Sequence, residues 1–276
     1  MYDFHFGDKQ EIKNNEEDFL IFIKRLLPRW VNSIPDSEYL AIYRLLKDIK
    51  SDNPILIETG CGASTLAMFF YCALNNGKMH SWDTNGSKGF FLKSVILETI
   101  CRPLKVNLYD IWNFVAFDST SKHIGIPVLQ ELNQKADFGF FDSWHTLDHL
   151  MNEISCFEQI VNESFVLAID DAYYTKKSEN YSYLNVIRKK MGLDAIQSSV
   201  NNVCDPFYVE VEKYLSGKYV NVNKVEDSYK KEYTSDIFFN YYESDRKVMT
   251  ELGMEEKDEK LEHRFDAWEI SNNDKK

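Results

Sequence analysis

A four-residue apolar run, Pro54-Ile55-Leu56-Ile57, leads into Glu58-Thr59-Gly60-Cys61-Gly62-Ala63-Ser64-Thr65. From Ser64 onward the apolar residues Leu66, Ala67, Phe69, Phe70 and Ala73 recur at helical spacing and stop at Asn76-Gly77. A short unbroken apolar run is the pattern of a strand buried on both faces of a parallel sheet. Strand, glycine turn and helix in that order call for a right-handed crossover to a parallel neighbour, so the chain should be α/β. Gly60 and Gly62 let the backbone turn sharply and approach a ligand, and the helix N-terminus near Ser64 favours negative charge. The spacing excludes a P-loop, GxxxxGK[ST], and the third glycine of the dinucleotide fingerprint GxGxxG is missing.

The rest of the chain repeats the alternation. Lys78–Trp82 reads as the second strand, Ser87–Cys101 as a helix, Leu104–Leu108 as a strand and Trp112–Phe117 as its extended continuation or a second short strand ending at Asp118. Ala136–Phe141 and Ser164–Ile169 read as strands with the helix Leu147–Val161 between them. Tyr181–Met191 should be helical, and Ala195–Val200 with Phe207–Tyr214 should add two more strands, the last antiparallel. The expected architecture is therefore a Rossmann-like sheet of seven strands, mostly parallel, with helices on both faces. Residues 1–50 read as a helical extension, two helices meeting at Pro35-Asp36-Ser37 with Ser37 as a plain cap. Residues 51–215 form the sheet domain. Residues 216–276, with aromatics Tyr233 to Tyr242 and a charge-dense stretch Glu251–His263, read as a helical cap and tail.

Composition narrows the partners. A formal charge of -12 repels phosphate backbones, so nucleic acid is not expected. The five cysteines are scattered without a CxxC pair, which fits buried thiols in a reducing compartment. Met1 to Asn15 is polar and charged, unlike a secretory signal, and no run nears the roughly 20 apolar residues of a membrane span. A cytoplasmic location without membrane contact is the expectation. Aromatic clusters such as that around Phe238 serve as core, acceptor pocket wall or homodimer contact.

In an open α/β sheet ligands bind beyond the carboxyl ends of the strands. Here those ends carry Glu58, Asp83, Asp118, Asp142, Asp170 and Asp171. Any one of them has an ordinary explanation, because Asp commonly ends strands and caps helices. Acids at the ends of five strands on one rim point instead to a site for cations or hydroxyl groups. Asp83, at the end of the second strand, is placed to bind the two hydroxyls of a ribose.

This pattern resembles the class I S-adenosylmethionine-dependent methyltransferases, whose first motif is an acid followed by x-G-x-G after the first strand. The resemblance spans roughly Pro54 to Tyr214, and the Ser64-Thr65-Leu66 variant is similar to small-molecule O-methyltransferases and cephalosporin hydroxylase-related proteins. It implies that Glu58, Gly60, Gly62, Ser64 and Thr65 form the cofactor loop, that Asp83 holds the ribose, that Asp118-Ser119 and Trp144 border the adenine, and that Asp142 also contacts the cofactor. Phe140-Phe141-Asp142-Ser143-Trp144-His145 and Leu167-Ala168-Ile169-Asp170-Asp171 resemble the two metal-bearing strand ends of the catechol O-methyltransferase type. In that resemblance Asp142, Asp170 and Asp171 hold Mg2+ or another divalent cation, Asp171 departing from the family's Asn. His145 takes the place of the family's lysine general base, and an imidazole titrating near neutrality suits removal of a hydroxyl proton. Without the resemblance, Asp142 reads as a helix cap, Asp170-Asp171 as a turn, Trp144 as core and His145 as a surface residue. His149, four residues after His145, can share its helix face as a transition-metal ligand, though no third nitrogen or sulfur ligand is evident.

The function expected is methyl transfer to a hydroxyl of a small molecule, aided by a divalent cation and with Asp142 and His145 in catalytic roles. Alternatives are a metal-independent methyltransferase acting on nitrogen or carbon, a non-catalytic cofactor-binding protein, and a dinucleotide oxidoreductase of similar fold.

Overall fold

A computed structural model of the chain describes residues 9–32, 34, 36–144, 146–170, 205–222 and 266–269. His145, Asp171, Cys204 and the segments 181–191, 195–200, 233–242 and 251–263 lie outside them.

The described residues before the sheet form α1 (Lys9–Asn14), α2 (Glu16–Arg25), a 3-10 turn (Arg29–Val31) and α3 (Asp36–Lys47). Ser37 therefore lies inside the first turn of α3 instead of capping it, because helical geometry already begins at Asp36. Acids open α2 at Glu16, Glu17 and Asp18, and Lys24 and Arg25 close it, each opposing the helix dipole. Arg44 of α3 grips Glu17 through two hydrogen bonds of 2.9 and 2.7 Å, locking the two helices side by side.

The parallel core follows as β1 (Ile55–Thr59), α4 (Ala63–Asn75), β2 (Lys78–Trp82), α5 (Gly86–Ile96), β3 (Trp112–Val115), β4 (Ala136–Phe141), α9 (Leu147–Glu158) and β5 (Val161–Ile169). Between α5 and β3 run a π turn (Leu97–Cys101) and the short helices α6 (Arg102–Leu104) and α7 (Leu108–Ile111); α8 (Pro127–Glu131) precedes β4. The expected strand Leu104–Leu108 is thus absent. Its apolar residues Leu104 and Leu108 are buried at an i, i+4 interval by two helical turns, and Trp112–Val115 supplies the strand instead.

Strand order is β3-β2-β1-β4-β5, all parallel. Two short antiparallel pairings extend the β5 edge: β7 (Asp266–Glu269) against β5, and β6 (Val220–Asn221) against β7. The expected strand Phe207–Tyr214 is instead part of a helix, α10 (Asp205–Ser216), with Val211 and Leu215 buried one turn apart. Within 216–276, where a helical cap was expected, the described residues include these two strands.

Alternate residues of each strand enter two cores. Leu56, Phe138, Phe140, Val166 and Ala168 meet α4, α5 and the N-terminal helices. Ile57, Phe141, Leu167 and Ile169 meet α9 and α10 on the other face. Gly139 is required by this packing, since a Cβ there would come within 2.8 Å of the Phe157 ring. Cys61, Cys72 and Cys101 are buried thiols and Cys156 is half-buried. Among the described residues no helix is long and apolar enough to cross a membrane.

Candidate active site at the carboxyl ends of the strands

The order β3-β2-β1-β4-β5 reverses direction between β1 and β4, and such a reversal opens a crevice beyond the carboxyl ends of those two strands. The backbone ladder continues just past the strands, leaving their ends level. Asp83 N–H donates to Val115 O, Gly60 N–H to Trp82 O, Asp142 N–H to Thr59 O and Asp170 N–H to Phe141 O, at 2.9 to 3.3 Å. Asp83, Asp142 and Asp170 therefore stand on one rim.

Gly60 is the pivot. Its φ of +79° lies in the left-handed region, and a Cβ would sit 1.6 Å from Asp142 O. The close approach that requires this glycine is to the neighbouring strand end, so the loop after β1 is seated directly against the loop after β4. Gly62 has more room, with Val31 O of the N-terminal segment 3.3 Å from where its Cβ would be.

Glu58 points into the protein. It is fully buried, and its carboxylate accepts from Ser64 Oγ at 2.7 Å, Thr65 Oγ1 at 2.9 and 3.0 Å and Ser81 Oγ at 2.7 Å. Thr65 Oγ1 also accepts from Gly62 N–H at 3.0 Å, and Trp112 Nε1 donates to Ser81 Oγ at 2.9 Å. One carboxylate thus ties β1, β2 and the first turn of α4 together beneath the glycine loop. Burial raises its pKa from the ordinary 4.5 to about 7, against the pull of the three hydroxyls and with a small addition from Asp83. Glu58, Ser64 and Thr65 shape the loop from below.

Asp83 sits beside that loop. Its Oδ2 accepts from Cys61 N–H at 3.0 Å and pairs with Lys88 at 3.3 Å, and its Oδ1 accepts from Asn85 N–H at 2.7 Å. A carboxylate oxygen has two lone pairs, so Oδ1 can accept one more donor. Lys88 was not anticipated from the sequence, although its position one turn into the helix after Asp83 was legible there.

In the loop after β3, Asp118 is exposed and accepts from the amide and hydroxyl of Thr120 at 2.7 and 2.8 Å. Slight burial opposes its ionisation, but the Thr120 bonds and nearby His149 outweigh this and lower its pKa. Ser119 is buried and donates from Oγ to Glu153 Oε1 of α9 at 2.5 Å. Ser143 Oγ donates to the same oxygen at 2.8 Å, and His149 Nε2 lies 3.2 Å from it. The hydrogen bond to Glu153 raises the His149 pKa, with help from the charges of Glu153 and Asp118 and against its partial burial. His149 is therefore drawn toward Glu153. Trp144, read without the resemblance as core, is 69% exposed at the rim.

Asp142 and Asp170 are half-buried at the ends of adjacent strands, whose spacing of about 4.8 Å allows two carboxylates to reach one cation. Among the described residues no group of three His, Cys, Asp or Glu is assembled around a metal position. Of the three expected metal-binding carboxylates, Asp142 and Asp170 follow adjacent strands, and Asp171 lies outside the described residues, as does His145.

No family model matches the chain, and no curated protein matches it. Solved structures similar to it include apo CalS11, a TDP-rhamnose 3'-O-methyltransferase of calicheamicin biosynthesis, with 14% identity over 64% of this chain and 84% of that one and a TM-score of 0.43. An O-methyltransferase from Bacillus cereus in complex with S-adenosylhomocysteine shows 11% identity over 77% and 89% of the two chains, with a TM-score of 0.45. Geranyl diphosphate methyltransferase in complex with S-adenosylmethionine shows 10% identity over 84% and 83%, with a TM-score of 0.43.

Proposed function

We propose that this chain is a class I S-adenosylmethionine-dependent methyltransferase acting on a hydroxyl group of a small molecule with the aid of a divalent cation. The observation that carries the reading is the junction of Gly60 with Asp142 at the strand-order reversal, with Asp83 fastened to the Cys61 amide beside it. That arrangement offers a turn with glycine at positions 60 and 62, an acid for a ribose and an exposed Trp144 face for a base.

Bound there, S-adenosylmethionine supplies an electrophilic methyl group on a sulfonium. That group would pass to the acceptor oxygen with its carbon–sulfur electron pair left on sulfur, so the chain's own task would be to orient the acceptor and take up its proton. Asp142 and Asp170 would hold Mg2+ or a similar cation, a hard ion that prefers carboxylate and water oxygens. Asp171, as the third carboxylate, and His145, as the base that takes the proton, enter the proposal from the sequence resemblance alone.

Isothermal titration with S-adenosylmethionine and S-adenosylhomocysteine, with and without Mg2+, tests the cofactor. Binding of both is expected. Binding of NAD with no binding of either would replace this reading by a dinucleotide oxidoreductase. Asp142→Ala and Asp170→Ala should each abolish Mg2+-dependent turnover of a hydroxyl acceptor while the cofactor still binds. Unchanged turnover would leave a metal-independent methyltransferase.

A further inference from the structure

Helix α9 carries a buried apolar stripe, Leu150, Ile154 and Phe157, with a carboxylate, Glu153, set into it at 1% exposure. A buried carboxylate is costly unless donors gather around it. Here they come from three places. Ser119 Oγ reaches it from the loop after β3, Ser143 Oγ from the loop after β4 and His149 from the preceding turn of α9. All three converge on Oε1. Oε2 is buried without a hydrogen-bond partner among the described residues. The loop after β3 is held at other points as well, since Ser119 O accepts from Ile126 N–H at 2.7 Å and Trp82 Nε1 donates to Ile124 O at 2.8 Å.

We infer that Glu153 is a positioning residue that fixes the base-binding end of the cofactor crevice, through the Ser119 and Ser143 hydroxyls. The inference rests on the proposed cofactor. Neither serine hydroxyl is turned toward the crevice; both point back to α9. Asp118, next to Ser119, and Trp144, next to Ser143, are both exposed where the two loops leave the sheet. The separation of these walls is therefore governed by one carboxylate oxygen lying behind them. A flat base is sensitive to that separation, because stacking falls off steeply when a gap of even 1 Å opens.

Glu153→Ala removes the shared acceptor, whereas Glu153→Gln keeps one oxygen for both hydroxyls. Binding is measured for S-adenosylhomocysteine and 5'-methylthioadenosine, which share base and ribose and differ at the amino-acid end. Glu153→Ala should weaken both by the same factor, about tenfold, as expected for losing a charge-assisted hydrogen bond. Glu153→Gln should restore most of that loss. In ligand-free protein, Glu153→Ala should also speed amide hydrogen exchange in 117–126 and 142–144 together. Should Glu153→Ala fail to fold, the double variant Ser119→Ala, Ser143→Ala removes the same ties from the loop side and should reproduce the loss.

A folded Glu153→Ala protein with wild-type affinity, or a loss confined to S-adenosylhomocysteine, would overturn the role of Glu153 and leave the cofactor reading standing. Wild-type protein that binds neither ligand would overturn the cofactor reading and the base-end role with it.

Discussion

At the scale of single residues, Glu58 is where chemistry and folding meet. The sequence placed it at a strand end among other acids, with a cofactor role suggested by resemblance. The structure shows a fully buried carboxylate whose three hydroxyl donors all belong to the protein. Its elevated pKa has a consequence for stability. The unfolded chain releases this proton near pH 4.5, while the folded protein keeps it to about pH 7. The folded state binds more protons across that window, so stability falls as pH rises from 4.5 to 7, by at most about 3 kcal/mol. Glu58→Gln should remove this fall, and urea unfolding of both proteins at a series of pH values checks it. Parallel pH profiles would refute the assignment. Gly60 was legible as a turn residue. That its missing side chain makes room for the Asp142 carbonyl was not, because 82 residues separate the two in sequence.

At the scale of elements, long strands and helices were readable wherever their apolar pattern was unambiguous. Lys78–Trp82 and Ala136–Phe141 have the expected bounds, and Asn76 stops α4 in the left-handed conformation at φ 53°. The misread segments carry a pattern that fits either element. In Phe207–Tyr214, aromatic and β-branched residues favour a strand, but burial of Val211 and Leu215 against the α9 face settles a helix. Glu153 left a trace in the sequence as a charge inside the i, i+3, i+4, i+7 stripe of α9; what it holds depends on two loops from elsewhere. The N-terminal helices contain a similar case. Lys24 is buried and pairs with Asp36 at 2.9 Å, while Asp36 is also held by Arg25 at 3.2 Å. Burial lowers the Lys24 pKa, and Asp36 opposes that. Asp36→Ala strands the lysine charge and should cost about 3 kcal/mol or more. Lys24→Met should cost less, since Asp36 keeps Arg25. Urea midpoints of the two variants give the order, and a reversed order would contradict the geometry.

For the whole molecule, the first fifty residues are more than an extension. Ile12, Phe19, Leu20, Ile23, Tyr39 and Tyr43 share one continuous core with Phe69, Phe70, Phe138 and Phe140, and the segment reaches the loop after β1 where Val31 O faces Gly62. Removing residues 1–48 would uncover that core, a far larger apolar area than a stable monomer exposes. The truncated chain should lose its cooperative thermal transition and aggregate; a folded, monomeric product by circular dichroism and light scattering would refute this. The sequence by itself determined the α/β class, the parallel succession of strands and the acids at their carboxyl ends. These follow from hydrophobic periodicity and turn residues, which act over a few neighbours along the chain. Only the tertiary structure decided which acids face the crevice and which face inward. Register and crossover packing bring the Ser81 hydroxyl to Glu58, set Asp142 beside Asp170 and Glu153 behind Ser119, and these are contacts between distant segments that no local pattern encodes.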